Sequence, residues 1–212
     1  MKKTFIFSLM LSLMLSLAFV SCDKNKKQPV TPDVKNDTTF VVENTINLDK
    51  QQMFTTYGKN YRWFESCIVL NDYLDSEKCD GSFESVTNIF QALIGDINSK
   101  SFDSRVVIFT HNADSVEIAD TQGFWIEDCP MNDDVLKLTY KDAFDKVMAT
   151  NSPKPHSKNC ILRKPLGPLD CNPQYIFGNL SEQLWVDAVT GEVRNSNPAF
   201  PDNMKLKYAF PW

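Results

Sequence analysis

Covalent chemistry in this chain would depend on very few residues, of which His156 and Cys160 are the best spaced. They lie four positions apart, and a histidine near a cysteine can act as the base for a thiolate nucleophile. Such a pair also needs an orienting third group and a site for the oxyanion, and the neighbouring sequence indicates neither. The sequence favours a loop histidine and a structural cysteine.

The other histidine, His111, lies beside Asn112 and Asp114 in a predicted hairpin loop. We expect it to be a solvated turn residue and not a base or a metal ligand. With two histidines in the whole chain, hydrolytic or zinc chemistry has few ways to be built. The sequence therefore predicts a protein that is not an enzyme and has no catalytic residues.

A group of aspartates is the best candidate for attracting a metal ion. Asp128, Asp133 and Asp134 surround Cys129, and carboxylate oxygens are ligands that Ca²⁺ prefers. Their spacing differs from that of an EF-hand loop. We expect a solvated acidic loop, with no metal and no cofactor.

Five cysteines lie beyond residue 50, and because the number is odd at least one is not paired within the chain. The nearest in sequence are Cys67 with Cys79 and Cys160 with Cys171. Disulfides closing loops of that size would stabilise the fold by about 3 kcal/mol each. No spacing is C-x-x-C, so neither a redox pair nor a zinc knuckle is indicated. The connectivity stays open, as does the state of Cys129.

Residues 1–22 have the pattern of a bacterial export signal. Two lysines precede an apolar run from Phe5 to Val20, which is shorter than the roughly 20 residues that a membrane-spanning helix needs. The run ends in Ser21-Cys22, which resembles the lipobox of bacterial lipoproteins. The resemblance implies cleavage after residue 21 and acylation of Cys22, which would anchor the protein to a membrane of the bacterial cell envelope. The alternatives are ordinary secretory cleavage and a single-pass anchor, and the leaflet stays open between the periplasmic and surface faces of the outer membrane.

The net charge and the segment after Cys22 limit which partners and which domain organisation are expected. The sequence has a formal charge of −5, and removing residues 1–21 takes away two lysines. Because no basic stripe remains, nucleic acid is not an expected partner. Residues 22–49 are polar and include Pro29 and Pro32, which predicts a flexible tether.

Two helices are predicted from apolar spacing. After Ser82, apolar residues recur on one helical face as far as Ile94, and Gly95 is a suitable end. The second helix follows Thr139, an N-cap residue with Asp142 three positions on. Prolines between residues 151 and 155 must end it.

The other segments predict strands, and the fold class is therefore α+β: an antiparallel sheet packed against helices. The order helix, strand, strand, strand occurs twice, which predicts a repeated unit with one copy in residues 50–135 and the other in residues 136–212. The expected strands are Arg105–Thr110, Val116–Ala119, Phe124–Ile126, Ile161–Arg163, Tyr175–Phe177, Leu184–Ala188 and a short one at Val193.

Three stretches together resemble the PepSY domain: Leu138–Ala143, Tyr175–Phe177, and Leu184–Val193 with its Val-Asp-Ala-Val-Thr-Gly-Glu-Val ending. The resemblance implies a non-catalytic unit of the kind found in propeptides of metallopeptidases and in exported or membrane-attached proteins, where inhibition or binding of peptidases has been proposed. Within the hairpin, Asp187 can accept turn N–H groups and Gly191 can adopt a positive φ. The Pro-rich connection from Lys164 to Pro173 departs from the family.

Aromatic residues are the remaining candidates for contact with a ligand. Core packing is the favoured interpretation for all of them except the C-terminal tail, which must either dock or be exposed. The aromatic residues concerned are Tyr61, Trp63, Phe64, Trp125, Tyr208, Phe210 and Trp212.

We expect a lipid-anchored, non-catalytic protein-binding module, with a peptidase as one candidate partner. The alternative is an accessory surface lipoprotein that captures glycan or peptide nutrients.

Overall fold

The computed structural model describes residues 40–95, 103–125, 130–131 and 136–200. All of these residues belong to a single compact unit. In these ranges no helix is long and apolar enough to cross a membrane. Several predictions fall outside the described residues: the export signal with Cys22, the acidic loop with Asp128, Cys129, Asp133 and Asp134, and the aromatic tail with Tyr208, Phe210 and Trp212.

An eight-stranded antiparallel sheet dominates the described part of the chain, and its order is β4-β3-β2-β1-β5-β6-β7-β8. The strands are β1 Tyr61–Leu70, β2 Phe83–Ile94, β3 Asp103–Asn112, β4 Ser115–Gln122, β5 Asn159–Arg163, β6 Gln174–Gly178, β7 Gln183–Asp187 and β8 Val193–Arg194. The predicted fold class, α+β with an antiparallel sheet packed against helices, is confirmed at this level.

The first helix, α1, spans Val42–Tyr57 and packs on β2 and β1. Its buried side chains include Val42, Ile46 and Met53, spaced so that they fall on one helical face. The helix ends at Gly58, which has φ +64° and donates its N–H to the carbonyl of Phe54. Residues 42–49, expected to belong to the tether, thus form the first half of a core-packed helix.

The second helix, α2, spans Tyr140–Ala149, as the sequence predicts. Thr139 and Asp142 form a capping box, because each side chain accepts a hydrogen bond from the backbone of the other. Ala143 and Phe144 are among the side chains that α2 buries. The cap fixes where α2 begins, and the apolar stripe of α2 determines which face of the helix packs on the sheet.

The helix predicted after Ser82 is wrong, because residues 83–94 form β2. Val86, Phe90 and Ala92 are buried on the helix-covered side of the sheet, whereas Ile89 lies on the opposite side. The apolar residues that predict a helix are thus divided between the two faces of the strand, and hydrogen bonds to β1 and β3 on both sides hold the segment extended.

The repeat with helices after Ser82 and Thr139 is therefore not confirmed. Phe124 and Trp125, the described part of a predicted strand, have no strand structure. Among the described residues, the order is one helix followed by four strands, and this order occurs twice. β1 and β5, the first strand of each set, pair at the centre, so that the two predicted units share one sheet.

The core lies between the sheet and the helices. The rings of Phe90 and Phe109 meet edge-to-face with their centroids 5.7 Å apart, and the ring centroids of Tyr140 and Phe177 are 6.2 Å apart. We call the other surface of the sheet the second face; its side chains alternate with those of the core. One row of paired positions crosses this face from β4 to β8: Glu117, Thr110, Thr87, Cys67, Ile161, Ile176, Trp185 and Arg194.

Candidate functional site

The structure does not make His156 and Cys160 a nucleophile pair. Cys160 is fully buried on the core side of β5, and burial raises the pKa of its thiol well above the usual value. His156 has a 68% exposed side chain. Its Nδ1 lies 3.0 Å from Asp75, and its ring stacks on Tyr73 at 4.1 Å. A thiol without access to solvent and without a lowered pKa is not a nucleophile, so the structural interpretation of both residues is confirmed.

His111 is not the solvated turn residue that the sequence predicts. It belongs to β3, is 5% exposed, and its Nε2 lies 2.8 Å from both carboxylate oxygens of Asp49 in α1. The expected four-residue loop is a two-residue turn at Ala113 and Asp114. Because the turn is short, His111 is one of the paired residues of β3 and β4, and its side chain points to the helix-covered side of the sheet.

A buried polar network surrounds this contact and joins α1 to three strands. Asn88 donates to Asp49 at 2.7 Å and to Thr45 at 3.2 Å, and it accepts from Ser66 at 2.5 Å. Burial raises the pKa of Asp49, although the hydrogen bond and charge of His111 and the bond from Asn88 oppose the shift. All five residues are buried, so the network has no access for a substrate and holds α1 in register on the sheet.

The sequence gives little sign of this network. Its members are separated along the chain, and Thr45 and Asp49 interrupt the apolar stripe of α1. Asn88 stands where a core residue is expected in the alternating pattern of β2. A buried Asn or Asp at such a position is the one signal that could have indicated a polar partner.

Neither of the two candidate disulfides, Cys67–Cys79 and Cys160–Cys171, is present in the structure, because Cys67, Cys79 and Cys160 are free thiols. Cys67 lies on the second face, where it approaches Glu65 at 3.5 Å. Burial first, and then this carboxylate, raise the pKa of Cys67 to about 12. Cys79 packs against the helix-covered core instead, so the two cysteines lie on different sides of the sheet.

The described aromatic candidates lie in β1 and just after β4. Trp63 and Phe64 are buried and Tyr61 is half-buried against the core, as expected. Half-buried Trp125 has a buried Nε1 without a hydrogen-bond partner among the described residues.

The predicted turn roles of Asp187 and Gly191 are confirmed. Asp187 accepts the N–H groups of Val189 and Thr190, each at 2.8 Å, and Gly191 has φ +75°. These bonds lie within the hairpin and need no ligand.

The exposed edge of the sheet is the strongest candidate for a functional surface. All eight residues of β4 are exposed on both sides of the strand. β4 pairs with β3 on one side, and in the described ranges no strand pairs with the other. Val116 and Ile118 are each 42% exposed on the side that faces the helices. An eight-residue strand with an unpaired edge is a template for an added strand.

The hairpin geometry shows which backbone groups are available. Asn112 and Ser115 flank the two-residue turn and form its hydrogen-bonded pair. The ladder continues at every second residue, ending with the N–H of Gly123 donating to the carbonyl of Ser104 at 2.8 Å. The N–H and C=O groups of the intervening residues, Val116 and Ile118 among them, therefore point away from β3.

The β3–β4 hairpin is acidic. Residues 103–122 contain four carboxylates and one arginine. Arg105 donates to Asp120 at 2.6 Å, and the hydroxyl of Tyr57 donates to the same carboxylate at 2.6 Å. Burial and the Asp120 carboxylate raise the pKa of Tyr57 to about 12. Glu117 has no hydrogen bond or ion pair within the described part of the chain, so its charge faces solvent uncompensated.

The two edges of the sheet differ. β8 at the opposite edge has two residues, which is too short to guide an added strand. β4 has eight residues and contains no proline or bulge among its paired positions. Only the β4 edge, of the two that the structure describes, has the length and regularity for strand addition.

Comparison with known proteins gives no further identification. No family model matches this chain, and neither a curated protein nor a solved structure is similar enough to count as a match. The function of the protein must therefore be inferred from the sequence and from the geometry of the β4 edge.

Proposed function

We propose that this chain is a lipoprotein of the bacterial cell envelope, anchored through acylated Cys22, and that it is a non-catalytic protein-binding module. It binds an extended segment of a partner protein as a ninth strand beside β4. Binding by strand addition needs no reacting group: it blocks the partner segment by occupying it. A peptidase is the partner class that the PepSY resemblance of residues 136–195 suggests.

The unpaired β4 edge is the observation that carries this proposal. Main-chain hydrogen bonds along Val116 and Ile118 would provide affinity, and the side chains that flank them would provide selectivity. The buried sites described above support a non-catalytic role, because His111 and Cys160 are both enclosed in the core.

A pair of substitutions at Ile118 tests the backbone contribution. Ile118→Pro removes an outward N–H that β3 does not use, so the sheet should tolerate it as edge strands tolerate proline. Ile118→Thr is the matched control, because it also removes the isoleucine side chain but retains the N–H. Both variants should keep the wild-type unfolding midpoint to within a few degrees, since the position is exposed.

The assay is capture from detergent-solubilised envelopes with the acylated protein, followed by a peptidase assay on the retained proteins. We expect a partner that is retained by wild type and Ile118→Thr and is lost with Ile118→Pro. Inhibition of a retained peptidase on titration would establish an inhibitory role. Equal retention by a folded Ile118→Pro variant would refute strand addition at β4, and recovery of only transport or surface proteins would favour the nutrient-capture alternative.

A further inference from the structure

We infer that the segment received by β4 is aliphatic on one side and basic on the other, with the two kinds of residue alternating. This inference rests on the proposed function and specifies the chemistry of the partner. It comes from what β4 presents on each side of its edge. The helix-covered side presents two aliphatic side chains, and the second face presents an uncompensated carboxylate.

The aliphatic side follows from the position of α1. This helix packs on β2 and β1, and its buried network reaches His111 in β3. One strand further out, Val116 pairs with His111 and Ile118 pairs with Phe109, yet both are 42% exposed. Aliphatic residues at the matching positions of an added strand would cover these side chains.

The basic side follows from Glu117. It lies between Val116 and Ile118 in sequence and therefore on the second face of the sheet. The hairpin's one arginine, Arg105, is already paired with Asp120. A lysine or arginine opposite Glu117 on the added strand would place unlike charges next to each other, whereas an acidic residue there would be repelled.

A second copy of this chain fits the edge poorly. Two β4 strands related by a twofold axis would bring two acidic hairpins together without adding an unpaired cation, since the Arg105 of each copy is paired with Asp120. One allowed register places Glu117 opposite Glu117, and another places Asp120 opposite Asp120. Residues 204–208 of the chain do alternate lysine with apolar or aromatic residues in sequence, so the experiment must distinguish a partner from this tail.

The test uses two fluorescein-labelled peptides, one alternating valine with lysine and one alternating valine with glutamate. Fluorescence anisotropy measures their binding to the mature chain. We expect the lysine peptide to bind about tenfold more tightly than the glutamate peptide, and we expect its binding to weaken as salt is raised. Glu117→Lys should reverse the preference, and Ile118→Pro should weaken both peptides while Ile118→Thr retains the order.

Three results would overturn the inference: equal binding of the two peptides, no binding of either, or an unchanged preference in Glu117→Lys. A fourth variant carries Lys205→Glu and Lys207→Glu in the full chain. If the lysine peptide binds only to this variant, the tail and not a partner occupies the edge, which also overturns the inference. Loss of envelope partners with Ile118→Pro, without any charge preference among the peptides, would leave the proposed function in place and reject only the partner chemistry.

Discussion

Removing the amide of Asn88 should be among the most destabilising single changes in the described part of the chain. Asn88→Ala removes a hydrogen bond to the Asp49 carboxylate, one to Thr45 and one from Ser66. A buried bond to a charged group contributes about 1.5–3 kcal/mol and a neutral one about 1 kcal/mol. The free energy of unfolding should therefore fall by about 3–5 kcal/mol, since all four residues are buried.

Urea unfolding of the mature chain, followed by tryptophan fluorescence, measures this change. Thr87→Ala is the matched control, because Thr87 is the neighbour of Asn88 on the opposite face of β2 and shares one hydrogen bond with Thr110. We expect the control to cost about 1 kcal/mol or less. An unchanged slope of the unfolding free energy against urea would show that stability, and not the compactness of the unfolded state, has changed.

A double-mutant cycle with Ser66 gives the decisive result. Ser66→Ala alone leaves the Asn88 carbonyl oxygen without its donor, which should cost about 1–3 kcal/mol. In the double variant the hydrogen bond between Ser66 and Asn88 is lost only once. The double variant should therefore lose about 1 kcal/mol less unfolding free energy than the sum of the two single variants. Full additivity, or a cost below about 1 kcal/mol for Asn88→Ala, would refute the view that this network anchors α1.

Three further predictions concern single positions. Gly81→Ala should destabilise the fold by about 1–3 kcal/mol, because Gly81 has φ +84° and a Cβ there would lie 2.7 Å from the ring of Phe144. Gly58→Ala should cost less in the same urea assay, because Gly58 has φ +64° but an added Cβ would meet nothing within 4 Å. Thr139→Ala should lower the unfolding free energy by about 1 kcal/mol and the helical circular dichroism signal slightly, since it removes the cap of α2. Burial raises the pKa of Asp187, but the turn N–H groups and side-chain amides outweigh it and lower the pKa overall. The stabilisation by the ionised carboxylate is therefore present above the unfolded pKa of about 3.9 and is lost as the pH falls. Asp187→Asn should be less stable than wild type at pH 7, and the difference in unfolding free energy should narrow in urea titrations near pH 3.

The second half of the fold was more predictable from sequence than the first. Thr139 and Asp142 mark the beginning of α2, and the turn at Asp187 and Gly191 marks the last hairpin, because caps and turns depend on local geometry. The segment from Ser82 to Ile94 has apolar spacing that favours a helix, and Gly95 follows it as a suitable helix end. Its neighbours in the sheet determine the outcome, and they are distant in sequence.

The helix α1 and its buried polar network were missed for a related reason. The buried face of α1 includes Thr45 and Asp49, so its apolar stripe is weak and the segment resembles a polar tether. These polar residues are matched by Asn88 and His111, whose role appears only when the strands are adjacent. The contacts that hide α1 from sequence analysis also hold it over the inner strands. β4 is left uncovered beyond them, and the proposed binding edge is therefore a consequence of where this network places the helix.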